Sequence, residues 1–235
     1  LKKEKINYEK NNIDVAIMAG GFAKRLKPYS DIFPKPLMPF KNNSLIKNII
    51  LNFKSYGIKK FNVLTFYKSQ EIKKYLNIIK DDIEINIFRE KIPMGTVGGL
   101  CHLKKNNISE DFWVINCDTI LNVNYNDIYK FHKKNKSDLT IVGSKKKLLF
   151  PYGHCLINKK KKLLNIYEKP VYNLLVNTGC YIFNKKILKY LSNKKPTDFN
   201  ELLKKLKLKR LKIFVYNIKD NQWQDFGEKS SFQIN

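Results

Sequence analysis

Two adjacent glycines, an isolated arginine and a lysine between two prolines follow the first apolar run, in the segment IMAGGFAKRLKPYSDIFPKPLMPF (residues 17–40). Backbone N–H groups bind phosphate best where no side chain intervenes, and Gly20 and Gly21 permit both a tight turn and the close approach of a nucleotide. Arg25 can clamp phosphate oxygens through two hydrogen bonds, whereas Lys35 offers a point charge on a backbone stiffened by prolines. This combination favours binding of two phosphate groups brought together, although glycines and prolines alone would equally fit a surface turn.

A strand and a helix must flank this loop. DVAIMA (Asp14–Ala19) is a short continuous apolar run that stops at Gly-Gly, which is typical of a fully buried strand. The segment SLIKNIILNFKSYG carries apolar residues at helical spacing, and it predicts a helix with Ser44 as the N-cap and Gly57 as the C-terminal stop.

Strands and helices continue to alternate as far as residue 118. We predict strands over FNVLTF, IEINIF (residues 83–88) and FWVINCD (residues 112–118), a helix over SQEIKKYLNIIK capped by Ser69, and a short helix over GTVGGLCHLKKN. The order βαβαβαβ predicts an α/β fold with a mainly parallel sheet, helices on both faces and a ligand cleft at the carboxyl ends of the strands. The later part is richer in strands, with helices near residues 185–191 and 198–208, and predicts an inserted, partly antiparallel substrate lobe.

Composition limits the class of protein. The 235 residues, 43% hydrophobic and 28% charged, suit one large globular domain. We expect residues 1–12 to be a linker, the remnant of an upstream segment, and residues 13–235 to form the domain. No stretch reaches the roughly 18 apolar residues of a membrane span and no charged start leads into an apolar secretory core, so we expect a cytoplasmic protein without a membrane partner. The cysteines form no C-x-x-C pair, which argues against zinc and disulfides, and we expect them to be buried: Cys101, Cys117, Cys155 and Cys180.

The formal net charge of +26 raises the alternative of a nucleic-acid-binding protein. Arginine, whose planar fork reads guanine and clamps phosphate, occurs only as Arg25, Arg89 and Arg210. The lysines are spread along the whole chain among many Asn and Ile residues, as a general compositional bias would produce. We therefore expect no nucleic-acid partner, although the charge can steer anionic substrates toward the protein.

Six sequence blocks resemble those of a known enzyme family. The pattern A-G-G-x-x-x-R-L-x-P followed by P-K-P-L resembles the signature of sugar-1-phosphate nucleotidylyltransferases, the nucleoside-diphosphate-sugar pyrophosphorylases. Similar blocks follow in the family's order: PMGTVGGL (93–100), VINCDT (114–119), YEKP (167–170), VNTGCYIF (176–183) and WQDFG (223–227). The resemblance implies a Rossmann-like, GT-A-like nucleotidyltransferase that joins a nucleoside triphosphate to a sugar 1-phosphate and releases pyrophosphate.

The resemblance also implies roles for residues that match the family's motifs. Arg25 and Lys35 are expected to be catalytic, because charge on the attacking and leaving groups must be neutralised. Asp118 and Asp225 match the family's two magnesium-binding carboxylates, although a lone Asp would also suit a cap or a turn, and Mg²⁺ is the expected cofactor. The expected nucleotide-binding residues are Ala19, Gly20, Gly21, Arg25, Gly95, Thr96 and Asp118. The expected sugar-phosphate-binding residues are Glu168, Lys169, Asn177 and Gly179, although YEKP would also fit an ordinary strand end with a surface ion pair.

This chain departs from the family's pattern at four positions. The family usually has glycine where this chain has Ala23, and alanine is tolerable there only if φ is negative. Lys24 stands where a small hydroxyl residue is common, Ser30 replaces a common threonine, and Cys117 stands where glycine is frequent. No departure removes a charged catalytic group, which argues against a non-catalytic nucleotide-sugar sensor.

A resemblance to one subgroup of the family limits the choice of substrates. The stretches NCDTILNVNY and EKPVYNLLVNTGCYIF are most similar to bacterial guanylyltransferases that make GDP-activated sugars for surface glycans. We therefore expect GTP, with glucosamine 1-phosphate as the leading acceptor and a heptose or mannose 1-phosphate next. Uridylyl, cytidylyl and thymidylyl transfer stay open, as do the oligomeric state and an upstream regulatory module of the CBS type, which some relatives carry.

Overall fold

The computed structural model describes residues 13–80 and 82–227, so the linker expected at residues 1–12 lies outside the described residues. The strands are β1 (Asp14–Ala19), β2 (Pro39–Phe40), β3 (Asn43–Ser44), β4 (Lys60–Thr65), β5 (Glu84–Arg89), β6 (Asp111–Asn116), β7 (Thr119–Leu121), β8 (Leu139–Leu149), β9 (His154–Ile157), β10 (Leu163–Tyr167), β11 (Val171–Asn184), β12 (Ile213–Ile218) and β13 (Trp223–Asp225). The α-helices are α1 (Tyr29–Ile32), α2 (Leu45–Lys54), α3 (Ser69–Ile79), α4 (Tyr125–Lys134) and α5 (Phe199–Leu208). Short 3-10 helices cover Lys24–Leu26, Lys35–Leu37, Gly98–Lys105, Lys185–Tyr190 and Asp220–Gln222.

Seven strands form one sheet in the order β12-β8-β11-β6-β1-β4-β5. Strand β1 pairs in parallel with β4 and β6, β4 pairs in parallel with β5, and β8 pairs in parallel with β12. Strand β11 is antiparallel to both of its neighbours. The mainly parallel α/β fold expected from the sequence is confirmed, and its later strands complete the same sheet.

Side chains alternate between the two faces of β1 and both faces are covered, which explains why its sequence is apolar from Val15 to Ala19. Val15 and Ile17 pack with apolar residues of α2, α3 and α4 on one side of the sheet. Ala16 packs on the other side with α5 and the 3-10 helix Gly98–Lys105. Because both faces are covered, the carboxyl end of β1 is the part of the strand that can meet a ligand.

The starts of α2 and α3 test the two N-caps that were predicted from the sequence. The Ser44 side chain accepts a hydrogen bond from Lys47 N, so the predicted N-cap of α2 is confirmed. The predicted cap of α3 is wrong, because Ser69 is the first residue of that helix and Lys68 precedes it in the left-handed conformation. The Ser69 hydroxyl instead forms a 2.8 Å hydrogen bond with Thr65, which ties the helix to the end of β4.

The antiparallel region expected from the sequence is a projection of the sheet. Beyond the part of β8 that pairs with β12, residues 145–149 pair only with the first residues of β11. The hairpin β9–β10 is inserted between these two strands. We call residues 145–176 the arm.

The cysteines follow the prediction at three of four positions. Cys101, Cys117 and Cys180 are buried, whereas Cys155 on β9 is exposed because the arm has no layer above it. No group of three or more His, Cys, Asp or Glu residues in the described part of the chain could hold a metal ion. Among the described residues, no helix combines the length and the apolar character needed to span a membrane.

Candidate functional site

A cleft with two connected chambers lies at the carboxyl ends of β1 and β6. The wide chamber, about 710 Å³, contains Arg25, Asn177 and Asp225 in its lining. The narrow chamber, about 330 Å³, contains Gly20, Gly21 and Gly95 in its lining. Both chambers share Ala23, Lys35, Thr96, Asn116 and Asp118. Residues predicted from distant parts of the sequence are therefore brought together around one space.

The two predicted catalytic cations differ in their surroundings. Lys35 begins the 3-10 helix that follows Pro34, and its half-buried ammonium group contacts the carboxylate of Asp118. Arg25 is exposed, and within the described residues its side chain has no hydrogen bond or ion pair. The guanidinium group is therefore available to an anion entering the cleft.

The loop that follows β1 contains a strained residue. Ala23 lies between Gly21 and Arg25 with φ 50° and ψ 41°, in the left-handed region. Glycine adopts this conformation readily, whereas alanine is destabilised there. The departure from glycine noted in the sequence thus coincides with the unfavourable case of positive φ, at the point where the chain turns to present Arg25.

Strand pairing brings the two predicted metal ligands together. Asp118 lies two residues after the end of β6 and directly before β7, where Thr119 pairs with Asp225 on β13. The backbone carbonyl of Asp118 also accepts a 2.9 Å hydrogen bond from Phe226 N. Two carboxylates on one cleft fit Mg²⁺, which takes one or two carboxylates and completes its coordination with water and substrate phosphate.

Cys117, beside the first of these carboxylates, is not a reactive group. Burial raises the pKa of its thiol to about 12, so the thiol stays neutral.

Asn177 and Gly179 are held by a local network at the wall of the wide chamber. Asn177 Nδ2 donates a 2.8 Å hydrogen bond to the Tyr181 hydroxyl, and Asn177 Oδ1 accepts one from Gly179 N. Burial raises the pKa of Tyr181 to about 12, which keeps its hydroxyl neutral. Gly179 has φ 80°, and a Cβ there would lie 2.5 Å from Asn116 Nδ2. The absent side chain thus makes room for Asn116, and the role of Gly179 in binding sugar phosphate stays a prediction.

Three predicted residues do not line either chamber. Ala19 is buried as the last residue of β1. Glu168 and Lys169 are exposed in the turn that joins β10 to β11, and Lys169 has φ 44°. Their roles in binding nucleotide and sugar phosphate stay predictions.

A set of five hydrogen bonds, which we call the clasp, fastens the loop Met94–Gly98 to the residues that begin α5. Thr197 N donates to Met94 O, while Val97 N and Gly98 N donate to Thr197 O, all between 2.9 and 3.2 Å. Thr96 completes it by donating from its backbone N to Asp198 Oδ1 and accepting at Oγ1 from Phe199 N. Gly95 is required because its φ is 77° and a Cβ would lie 2.8 Å from Thr197 O.

Three residues that line the cleft were not predicted from the sequence. Asp198 and Asn200 line the wide chamber at the start of α5, where the sequence indicated only a helix. Glu90 lines the narrow chamber directly after β5 and is 4% exposed. Burial raises the pKa of its carboxyl, and its Oε2 accepts a 3.1 Å hydrogen bond from Met94 N. The available signal was a carboxylate at the carboxyl end of a parallel strand, three residues before the block PMGTVGGL begins.

Comparisons with known proteins agree on one class. The family model described as Nucleotidyl transferase matches residues 15–234. A mannose-1-phosphate guanylyltransferase catalytic subunit beta from Dictyostelium discoideum is 29% identical over 222 residues, covering 92% of this chain and 61% of the relative. A mannose-1-phosphate guanyltransferase from Yarrowia lipolytica is 28% identical over 226 residues, with the same coverages of 92% and 61%. The chain thus spans about three fifths of the length of these curated relatives.

Solved structures share the fold. HddC from Yersinia pseudotuberculosis has a TM-score of 0.72 and 25% identity, covering 94% of this chain and 96% of the other. A putative glucose-1-phosphate thymidylyltransferase from Bacillus anthracis has a TM-score of 0.73, with coverages of 94% and 92%. Its 19% identity supports likeness of fold alone.

Proposed function

Because this chain belongs to the nucleotidyl transferase family, we propose that it transfers guanosine monophosphate from GTP to a sugar 1-phosphate and releases pyrophosphate. The observation that carries this proposal is the meeting of Arg25, Lys35, Asp118 and Asp225 on one cleft. Two cations and two carboxylates suit a reaction between two phosphorylated substrates. The cleft is also large enough for both, since ligand pockets commonly measure about 300 to 1,000 Å³.

The residues of the cleft act mainly by position and charge. A sugar phosphate oxygen is already ionised and attacks the α-phosphorus in line, so no general base is needed. Arg25 clamps the triphosphate and neutralises charge that develops on the leaving pyrophosphate, while Lys35 stabilises charge near the reacting phosphorus. Asp118 and Asp225 would hold Mg²⁺, which supplies further charge neutralisation when bound.

Glu90 supports guanine as the base. When ionised, a carboxylate only accepts hydrogen bonds, and guanine presents two adjacent donors, N1–H and the N2 amino group. Burial raises the pKa of Glu90, and pairing with these two donors would favour the ionised form and oppose that shift. Adenine, cytosine, uracil and thymine each place an acceptor beside a donor on the corresponding edge, so an acceptor of the base would face a carboxylate oxygen. Met18, Pro93 and Met94 give this chamber an apolar lining. A mismatched polar contact is costly in such surroundings.

The exchange Glu90→Gln tests this assignment of the base. Glutamine has the same shape but offers one donor and one acceptor, a pattern that suits uracil or thymine. We expect kcat/KM for GTP to fall by about 10²-fold and the preference for GTP over UTP to shrink by more, because a paired contact is replaced by a mismatch. Steady-state kinetics with both nucleotides measure the change, and Glu84→Gln on the exposed end of β5 is the matched control. An unchanged ratio of GTP to UTP activity would exclude Glu90 from base recognition.

The names of the relatives support mannose 1-phosphate as the acceptor, which was the second expectation from the sequence. No comparison supports glucosamine 1-phosphate or a heptose 1-phosphate over it, and both stay predictions. We propose mannose 1-phosphate and a cytoplasmic location.

Pyrophosphate release tests the proposed reaction. The purified protein is incubated with Mg²⁺ and each of GTP, UTP, CTP, dTTP and ATP against mannose, glucosamine, glucose and heptose 1-phosphates. The proposal requires release with GTP that depends on both substrates and is fastest with mannose 1-phosphate. Release with another pair would reassign the substrates, and nucleotide binding without any release would favour a sensor.

Lys35→Ala separates transition-state stabilisation from substrate binding. Because Lys35 is placed near the reacting phosphorus, its loss should lower kcat by about 10²-fold and change KM much less. Initial rates over both substrate concentrations give the two constants, with Lys74→Ala on the exposed face of α3 as control. Unchanged turnover would refute the catalytic role of Lys35.

A further inference from the structure

Two neighbouring lysines, Lys24 and Lys27, follow β1 and differ in their surroundings. Lys27 is exposed, pairs with Asp31 at 3.4 Å and lies outside the lining of both chambers. Lys24 lines the wide chamber, and its ammonium group has no hydrogen bond or ion pair within the part of the chain that the structure describes. Its Nζ atom lies 6.0 Å from the centroid of the Phe22 ring, and such a cation–π contact is weak at an exposed site. The ammonium group can therefore leave this position for an anion.

The 3-10 helix Lys24–Leu26 directs one side chain inward and two outward. Leu26 is buried in an apolar cluster that also contains Phe226. A 3-10 helix has about three residues per turn, so Lys24 and Arg25 leave its axis in two other directions, about 120° apart. Both residues are exposed and both line the wide chamber. An anion in this chamber can thus be met by two cations from different directions.

The charges that line the wide chamber leave few cations free for substrates. Among the described residues they are three cations and three carboxylates: Lys24, Arg25, Lys35, Asp118, Asp198 and Asp225. Lys35 already contacts the carboxylate of Asp118. Two phosphorylated substrates bring several negative charges into this space, and cations without a carboxylate partner are the ones available to offset them. In the described lining, those cations are Lys24 and Arg25.

The residue at position 24 also distinguishes this chain from the usual pattern of its family. A small hydroxyl residue is common at this position, and a hydroxyl group carries no charge with which to bind phosphate. A lysine supplies a positive charge and three hydrogen-bond donors on a flexible side chain. This chain therefore has a cation in its cleft that the common family pattern does not supply.

The position of Lys24 favours the phosphates of the nucleotide over the phosphate of the sugar. Phe22, whose ring lies nearest the ammonium group, lines the narrow chamber, where Glu90 is proposed to meet the base. The predicted sugar-phosphate residues Asn177 and Gly179 lie on β11 instead. Lys24 thus belongs to the loop that meets the nucleotide, and it points the positive charge of that loop into the wide chamber.

We propose that Lys24 acts with Arg25 to bind the β- and γ-phosphates of the nucleotide and then the pyrophosphate that leaves. This role rests on the function proposed above, because it places the base in the narrow chamber. Arg25 supplies two parallel hydrogen bonds and Lys24 supplies a mobile point charge. Loss of Lys24 therefore weakens binding of the triphosphate and of pyrophosphate, and it leaves binding of the sugar 1-phosphate unchanged.

Calorimetric titration of the purified protein with inorganic pyrophosphate and Mg²⁺ tests this role without turnover. We expect Lys24→Thr, which introduces the common hydroxyl residue, to raise the dissociation constant for pyrophosphate by about tenfold, because a charge-assisted contact is lost. Lys24→Arg should keep most of the affinity, because the charge is kept. The matched control is Lys27→Thr, which removes the same charge from the same loop outside the cleft. Circular dichroism checks folding, and Lys24→Gln is used if Lys24→Thr fails to fold.

Steady-state kinetics add a second readout. In Lys24→Thr, KM for the nucleotide should rise by about tenfold while KM for the sugar 1-phosphate stays the same. Transfer that is absent with every pair of substrates, together with the expected loss of pyrophosphate affinity, would refute the proposed function and still support Lys24 as a pyrophosphate-binding residue.

Four outcomes would overturn the role of Lys24. The first is that the unchanged protein does not bind pyrophosphate, and the second is that Lys24→Thr binds it within about twofold of the unchanged protein. The third is an equal loss of affinity in Lys27→Thr, which would attribute the effect to the overall charge. The fourth is a rise in KM for the sugar 1-phosphate alone, which would assign Lys24 to that phosphate.

Discussion

Arg25→Ala is expected to lower kcat/KM for nucleotidyl transfer by about 10³-fold, one of the two largest effects of the single changes proposed for this protein. Arg25 is exposed to the cleft and has no side-chain partner among the described residues, so its loss removes no internal contact. The effect therefore reports on substrate and transition state rather than on folding. Arg25→Lys should recover only part of the rate, because an ammonium group cannot form the two parallel hydrogen bonds of a guanidinium group.

Single-turnover and steady-state rates of the Arg25 variants measure the loss. Arg210→Ala is the matched control, because Arg210 follows the end of α5 opposite to the one that lines the cleft. Activity of Arg25→Ala within about threefold of the unchanged enzyme would show that the guanidinium group does not contact the phosphates in the transition state.

Asp118→Asn is expected to lower kcat/KM by a similar factor of about 10³. The exchange keeps the shape of the side chain, and the backbone carbonyl of Asp118 still accepts its hydrogen bond from Phe226 N. What changes is the negative charge that meets Lys35 and would hold Mg²⁺. Loss of activity with an intact fold therefore identifies the charge as the essential property.

The rate of Asp118→Asn should be followed as a function of Mg²⁺ concentration, with a thermal melt as the test of folding. Asp82→Asn, which removes a surface carboxylate paired with Lys54, is the matched control. If Asp118→Asn kept full activity at the same Mg²⁺ concentration, Asp118 would not be a metal ligand, and Asp225 alone could not serve as the site proposed here.

Residue patterns within a single strand or helix predicted the elements whose formation depends on adjacent residues. The apolar run of β1 and the Ser44 cap of α2 were predicted because burial on both faces and capping are encoded in adjacent residues. Ser69 was assigned as a cap, but its hydroxyl contacts Thr65, and a contact with the preceding strand cannot be seen in a window of helix residues.

In the site, short sequence motifs identified candidate residues, whereas contacts between distant parts of the chain determine how those residues meet. Sequence blocks identified Asp118 and Asp225, whereas only the pairing of β7 with β13 explains why they meet across more than a hundred residues. Gly179 was predicted to bind sugar phosphate, which stays a prediction, and the contact that a Cβ there would make with Asn116 could not be read from its motif. Glu90 was missed because no local pattern distinguishes a buried carboxylate from one at a surface strand end.

The clasp between Met94–Gly98 and the start of α5 ties the linings of the two chambers to each other. It joins the loop that lines the narrow chamber to Asp198 in the lining of the wide chamber, through main-chain and short side-chain bonds. The loop Met94–Gly98 and the start of α5 therefore cannot separate without breaking several hydrogen bonds together. In the reaction proposed here, these bonds would hold the surface that meets the nucleotide at a constant distance from the surface that meets the sugar phosphate.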